Sequence, residues 1–368
     1  MKKFNLLIFF ILSFELLNAQ VSKIDVLVDY LKTHWNTPDE YIISKFNNHD
    51  YIFIGECHRN KQDVDLILNL IPQLYKNGIY NIAIEFAAYE YQYLVDSLLT
   101  LPYFDRELAK LIIFKSDPTW GFKEYIDIYK VAWEVNHSKA SDSAMFRVIN
   151  LAPLLDPCSI PINNNFLDYD AYMANVFFKE IVSKKQKGLI YAGAHHTFTK
   201  YNQPSYDFEK RTLYGLNTTR MGNIIYDSLN VKTFNIYLHA AWISNKSISK
   251  KVRPVNGVID SVMYYFSDKK VGFDVINSPF GSLTSNNSYY AFGYPQFTLD
   301  EFCDGYIYLS AFENFMPITM EEGFITNENI NDFKELYKCD KKLKKITVKN
   351  ANRMLFWDIR KDIKTICN

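Results

Sequence analysis

Tyr51-Ile52-Phe53-Ile54-Gly55-Glu56-Cys57-His58-Arg59-Asn60 is the stretch on which the reading of this chain turns. Tyr51 to Ile54 form an apolar run of strand length, broken at Gly55. An acid and an imidazole, Glu56 and His58, follow at once. From about Lys61 to Tyr75 the apolar residues Val64, Ile67, Leu68, Ile71 and Leu74 recur at helical spacing. A strand that ends in Gly-acid-x-His before a helix places polar groups at the carboxyl edge of a parallel sheet. Open α/β sheets hold their ligands at that edge.

The same pattern repeats outward. Lys76-Asn77-Gly78 is a helix stop with Gly in the C-cap position. A second apolar strand from Tyr80 to Phe86 carries Glu85 near its end, which completes a parallel βαβ unit. Residues 87–145 read as mainly helical (89–99, 105–114 and 122–136) and are expected to form a helical cap insertion over the sheet edge. The turn Asp117-Pro118-Thr119-Trp120-Gly121 sits in its middle. Further strands are expected at 146–151, 188–192 and 233–238. The second of these runs into Gly193-Ala194-His195-His196 and the third into His239. Helices are expected at 169–183 and 221–229, and a weaker pattern gives strands at 271–276 and 306–309 and helices at 328–338 and 349–365. The expected fold is α/β, a mainly parallel sheet flanked by helices, with residues 21–368 as a single domain.

Ionisable groups at buried strand ends need a reason, because such strands are normally almost wholly apolar. One Glu or His in this position most often caps a helix or bonds a loop. Four strands that all end this way point to one shared cleft. The catalytic candidates are Glu56, His58, Glu85, His195 and His196, and the candidates for substrate binding are His239, Trp120 and Tyr89. His58, Glu85 and His196 also make a candidate ligand set for a divalent transition metal. Without a metal, a histidine oriented by a carboxylate activates water. Trp120 and its neighbouring aromatics have packing as their plainer role. Cys57 is a weaker candidate nucleophile. The chain has no Gly-x-Ser-x-Gly elbow, P-loop or dinucleotide fingerprint, which counts against serine esterases, NTPases and Rossmann oxidoreductases.

Composition narrows the classes further. The 368 residues are 48% apolar and carry 41 basic and 41 acidic side chains without a basic block. Nucleic-acid binding lacks its electrostatic footprint here, and a small molecule is the expected partner. Lys2 and Lys3, the apolar run Leu6 to Phe14 and Leu17-Asn18-Ala19-Gln20 follow the order of a cleaved secretory signal. The run is too short for a permanent membrane anchor. The mature chain is therefore expected to be periplasmic or secreted, with no transmembrane segment. Its five cysteines leave at least one thiol unpaired in an oxidising compartment, with the pairing open. The 27 Tyr and 28 Phe supply an aromatic core and many residues able to line a pocket for a flat ligand.

Gly55-Glu56-Cys57-His58, the strand ending at Glu85, and Gly193-Ala194-His195-His196 together resemble the motifs of the erythromycin esterase/ChaN-like superfamily, which includes Tiki-type proteases and TraB-like proteins. The likeness spans about residues 45–310. It implies an α/β domain whose site is made from those strand ends. In the esterase branch the matching Glu and His residues activate water against an ester, in the Tiki branch they resemble metal ligands, and the ChaN branch carries haem. One residue, Cys57, separates the first Glu and His, which is nearer the ChaN form than the esterase form. The second motif selects His195 or His196 according to its spacing. The resemblance thus implies an exported hydrolase-like protein, with a binder of haem or another flat ligand, or an inactive binding member, as alternatives.

Overall fold

The structure is a computed structural model and describes residues 23–138, 144–154, 156–158, 167–356 and 358–367. The signal-like segment 1–20 lies outside the described residues. The apolar runs form strands β1 (Tyr51–Glu56), β2 (Asn81–Ala88), β3 (Arg147–Ala152) and β4 (Gly188–Gly193). A hairpin of β5 (Gln203–Asp207) and β6 (Thr212–Asn217) leads to β7 (Thr233–Leu238). Short strands β8 (Trp242–Ile243) and β9 (Lys251–Val252) come next, then β10 (Val271–Asp274), β11 (Gly305–Tyr308) and β12 (Ile366–Cys367). Seven strands make one sheet in the order β10-β11-β7-β1-β4-β2-β3. Its neighbours are parallel except for β10 against β11.

Helices line both faces: α1 (23–34), α2 (Pro38–Lys45), α3 (Lys61–Lys76), α4 (Gln92–Leu98), α5 (Arg106–Ser116), α6 (Lys123–Ser138), α7 (Leu167–Phe177) and α8 (Met221–Leu229). Side-chain alternation along β1 sends Ile52 and Ile54 to one face and Tyr51 and Phe53 to the other. The first face packs under Val64, Ile67, Leu70 and Ile71 of α3 with Ile112 of α5 and Ile126 of α6. The second packs under Met173 and Phe177 of α7 and Met221 and Ile225 of α8. Each such fully buried aliphatic or aromatic side chain contributes about 1.5–3 kcal/mol.

The insertion between β2 and β3 is helical, as the sequence implies, but most of it is a layer of the fold rather than a lid. Its apolar positions Ile112, Ile113, Ile126 and Ile128 are fully buried, so α5 and α6 have to lie on the sheet. Gln92 of α4 donates to Val148 O at 2.9 Å, and Asn150 N donates to Gln92 Oε1 at 2.9 Å, tying the insertion to β3. The turn Pro118–Trp120 and Tyr125 at the start of α6 reach the strand ends. The β5–β6 hairpin falls where the sequence reads as loop. Residues 212–216 of β6 are exposed, so no buried alternation marks the strand.

The site's position follows from topology. After β1 the chain crosses by α3 on one face, and after β4 it crosses by α8 on the other. The carboxyl ends of the adjacent strands β1 and β4 therefore open onto a switch-point crevice. Gly55 lets the two strands approach the turn after β4, because a Cβ there would lie 2.5 Å from Thr197 Oγ1 and 2.8 Å from Ala194 Cα.

Cys158 and Cys339 form a disulfide with Cα atoms 5.4 Å apart across 181 residues of sequence. Cys57 and Cys303 are free thiols. A native bridge over so long a loop contributes about 2–5 kcal/mol. Reduction, or Cys158→Ser, is expected to lower the unfolding free energy in urea by that amount and so to lower the midpoint. An unmoved midpoint would show that the bridge adds nothing to stability. No described helix is long and apolar enough to cross a membrane.

Candidate active site

Glu56 ends β1 with only 2% of its surface exposed. Three donors meet its carboxylate. His58 Nδ1 lies 2.7 Å from Oε1, the Tyr125 hydroxyl donates to Oε1 at 2.6 Å, and the Tyr191 hydroxyl donates to Oε2. A carboxylate oxygen can only accept, so His58 Nδ1 carries the proton and Nε2 presents its lone pair. The loop that delivers His58 is pinned by buried Asp63, which accepts from Cys57 N at 3.0 Å and from Asn60 Nδ2 at 2.7 Å. Burial, reinforced by the charge of Glu56, pushes the Asp63 carboxyl well above its ordinary range.

His58 Nε2 faces Gly193 and Glu85. A Cβ on Gly193 would lie 2.5 Å from His58 Nε2 and 3.3 Å from Glu85 Oε2, so the glycine leaves room for both groups. The His58 side chain is 42% exposed and meets the Trp120 ring edge-on at 4.9 Å. Burial disfavours the charged imidazole, but its hydrogen bond to Glu56 and the charges of Glu85 and Glu56 outweigh it and raise the pKa above 6.5.

Glu85 of β2 is fixed by Gly193 N, which donates to Oε2 at 2.7 Å. Its Oε1 faces His196 Nε2 at 3.4 Å. The other nitrogen of His196, Nδ1, lies 2.6 Å from Asp170 Oδ1 on α7. Asp170 also accepts from Met221 N at 2.8 Å and from Arg220 Nη1 at 3.1 Å. Burial opposes its charge, yet the His196 and Arg220 contacts hold the carboxyl below its usual range. Burial likewise opposes a charged His196, while Glu85 and Asp170 raise its pKa. Two histidines, each backed by a carboxylate on Nδ1, thus lie near Glu85.

The other candidates go elsewhere. His195 points away from Glu85, with Nε2 2.8 Å from the Tyr290 hydroxyl and Nδ1 3.3 Å from Gln203 Nε2. Burial, with the nearby Arg220 charge, lowers its pKa to about 3, so it stays neutral. His239 is buried in its own pocket, bonded to the Tyr306 hydroxyl at 2.8 Å and stacked on Phe312 at 4.4 Å. Tyr89 is half-buried and donates to buried Glu180 at Oε1, 2.7 Å away. The expected lining role of His239 and Tyr89 therefore finds no support in the geometry. Cys57 is an inert thiol here, because burial and then the charges of Asp63 and Glu56 push its pKa up. His58, Glu85 and His196 do converge. However, His196 Nε2 and both Glu85 oxygens already face protein partners, and no group of three or more His, Cys, Asp or Glu among the described residues is placed to hold a metal ion. Haem finds one fitting donor, His58 Nε2. Tyr125 and Tyr191 are spent on Glu56, and burial with its charge raises their pKa values well above 10, against phenolate ligation. A surface cavity of about 890 Å³ opens elsewhere, beside Phe114, Leu154 and Phe324, and is lined by none of the strand-end groups.

Tyr125, Tyr191, Asp63, Asp170, Arg220 and Arg59 belong to the site and carry no sequence signal of their own. Apart from Asp63, which bonds the loop just before its own helix, their partners lie on other elements.

No protein-family model matches the sequence, and no curated protein matches it significantly. Solved structures do match. A succinoglycan biosynthesis protein aligns over 83% of this chain and 99% of its own, with a TM-score of 0.56 and 12% identity. A Bacillus cereus protein aligns over 81% of this chain and 99% of its own, with a TM-score of 0.55 and 8% identity. This chain shares their fold. At such identities the likeness extends to the fold alone. ChaN of Campylobacter jejuni, a protein described with cofacially bound haem, aligns over 56% of this chain and 88% of its own at 15% identity, and its TM-score of 0.34 is too low to carry an argument. The esterase resemblance rests on the motif residues.

Proposed function

We propose that this chain is an exported hydrolase of the erythromycin esterase/ChaN-like kind, acting on a small-molecule ester or related acyl bond. The observation that carries the reading is the Glu56–His58 pair, with Nε2 free at a switch-point crevice opposite Glu85. In this reading His58 Nε2 takes a proton from water as the water oxygen attacks the acyl carbon. The bond to the leaving oxygen then breaks, and the imidazolium returns the proton to that oxygen. Glu56 holds the tautomer and stabilises the imidazolium. Glu85 and His196 form the far wall and fix each other. Trp120 covers the crevice and limits water access. The signal-like amino terminus and the Cys158–Cys339 bridge support export, since such bridges persist in oxidising compartments.

Because the base must be neutral, kcat/KM is expected to rise with pH through a value above 6.5, and Glu56→Gln should move that limb to lower pH. A panel of p-nitrophenyl esters and lactones, assayed from pH 5 to 9, reads both. A limb that Glu56→Gln leaves in place excludes His58 as the base. No turnover across the panel, together with a Soret band on adding haemin that His58→Ala abolishes, would favour the haem-binding alternative.

A further inference from the structure

Arg59 immediately follows His58, and the mechanism above does not use it. Its backbone has φ of 67°, a left-handed conformation in a residue that is not glycine. Such a conformation costs on the order of 1–3 kcal/mol and persists where the surroundings impose it. Its guanidinium carbon lies 5.9 Å from the Trp120 ring and 5.6 Å from the Phe122 ring. Nε is buried without a hydrogen-bond partner. Nη2 makes one long contact, 3.4 Å to Thr119 O. Nη1 makes no hydrogen bond among the described residues and is not one of the buried unpaired atoms. No carboxylate among the described residues forms an ion pair with Arg59, whereas Arg106, Arg147, Arg220, Arg253 and Arg360 are all paired.

A strained backbone, an orphaned donor and a cation without a direct ion pair are three separate costs at one residue. Aromatic packing and the more distant charges of Asp117, Glu56 and Asp362 offset them only in part. The indole of Trp120 touches both the Arg59 guanidinium and the imidazole of His58, so the cation stands at the mouth of the same crevice. A guanidinium fork matches an oxyanion of carboxylate or phosphate geometry, and the surrounding aromatics raise the strength of that pairing by excluding water.

We propose that Arg59 is a substrate-specificity residue, and that the crevice takes molecules carrying a carboxylate or phosphate group beside the bond presented to His58. The proposal deepens the hydrolase reading, and its test does not depend on turnover. Thermal unfolding of the full mature chain is followed with millimolar inorganic phosphate, with benzoate, and with chloride at matched ionic strength. One of the two oxyanions is expected to raise the Tm over chloride. A shift with benzoate marks a carboxylate ligand, and a shift with phosphate a phosphoryl ligand. Arg59→Gly should lose the shift while its own Tm is no lower than wild type, since glycine removes all three costs. Arg59→Gln should lose the shift with the backbone strain kept, and His58→Ala should keep it. The proposal is overturned if neither anion stabilises the wild type, if Arg59→Gly retains the shift, or if Arg59→Gly unfolds well below wild type, which would mark a structural arginine. Loss of the shift in His58→Ala would likewise overturn it. Anion binding without turnover of any ester would remove the hydrolase reading and leave this one standing.

Discussion

His58→Ala is expected to lower kcat by roughly 10²–10⁴-fold on any ester the wild-type protein hydrolyses, the range for loss of a general base, with a Tm close to wild type. The fold can spare this imidazole. It is 42% exposed, and truncating it leaves Glu56 with two tyrosine donors. The crevice is widened without any buried donor being stranded. The discriminating measurement pairs kcat with thermal unfolding on the same sample. Loss of activity accompanied by a large drop in Tm would assign His58 to structure, and retained activity would end its role as base.

Glu56→Ala is expected to do something different. Here the fold itself depends on the side chain, because the Tyr125 and Tyr191 hydroxyls are buried and both donate to it. Each stranded hydroxyl costs about 1–3 kcal/mol, so the variant should lose about 2–6 kcal/mol in urea unfolding, together with activity. Glu56→Gln keeps one acceptor oxygen and should lose less. If Glu56→Ala proves as stable as His58→Ala, the two buried tyrosine hydrogen bonds do not anchor the fold. The contrast between the two alanine variants separates the group that works on substrate from the group that holds it.

Much of this arrangement can be read from the chain. The apolar runs at 51–54, 188–192 and 233–238 each become a strand of the central sheet, because a run of that length flanked by helices can be buried only between neighbours. Glu56, His58, Glu85 and His196 meet because parallel strands bring their carboxyl ends to one edge. Sequence cannot say which way a side chain turns once the strand has ended. His195 and His196 are adjacent, yet one reaches Tyr290 and the other Asp170. Tyr89 stands four residues after Glu85 and already faces buried Glu180 instead. Asp170 and Tyr125 were illegible for a related reason. Each sits in a helix whose pattern explains it as an ordinary polar or packing residue, and only the three-dimensional crossing of α6 and α7 over the strand ends supplies its partner.

The three strands that carry the site are consecutive in the sheet: β1 bears Glu56, β4 leads into His196, and β2 bears Glu85. Strand spacing is a constant of backbone hydrogen bonding, so the floor of the crevice is about 10 Å across whatever side chains line it. A mutation cannot widen that floor without breaking the sheet. Variation in what enters must come from the walls, of which the turn Pro118–Trp120 beside His58 is one. That turn is where libraries seeking a new substrate should be built, with the strand ends left untouched.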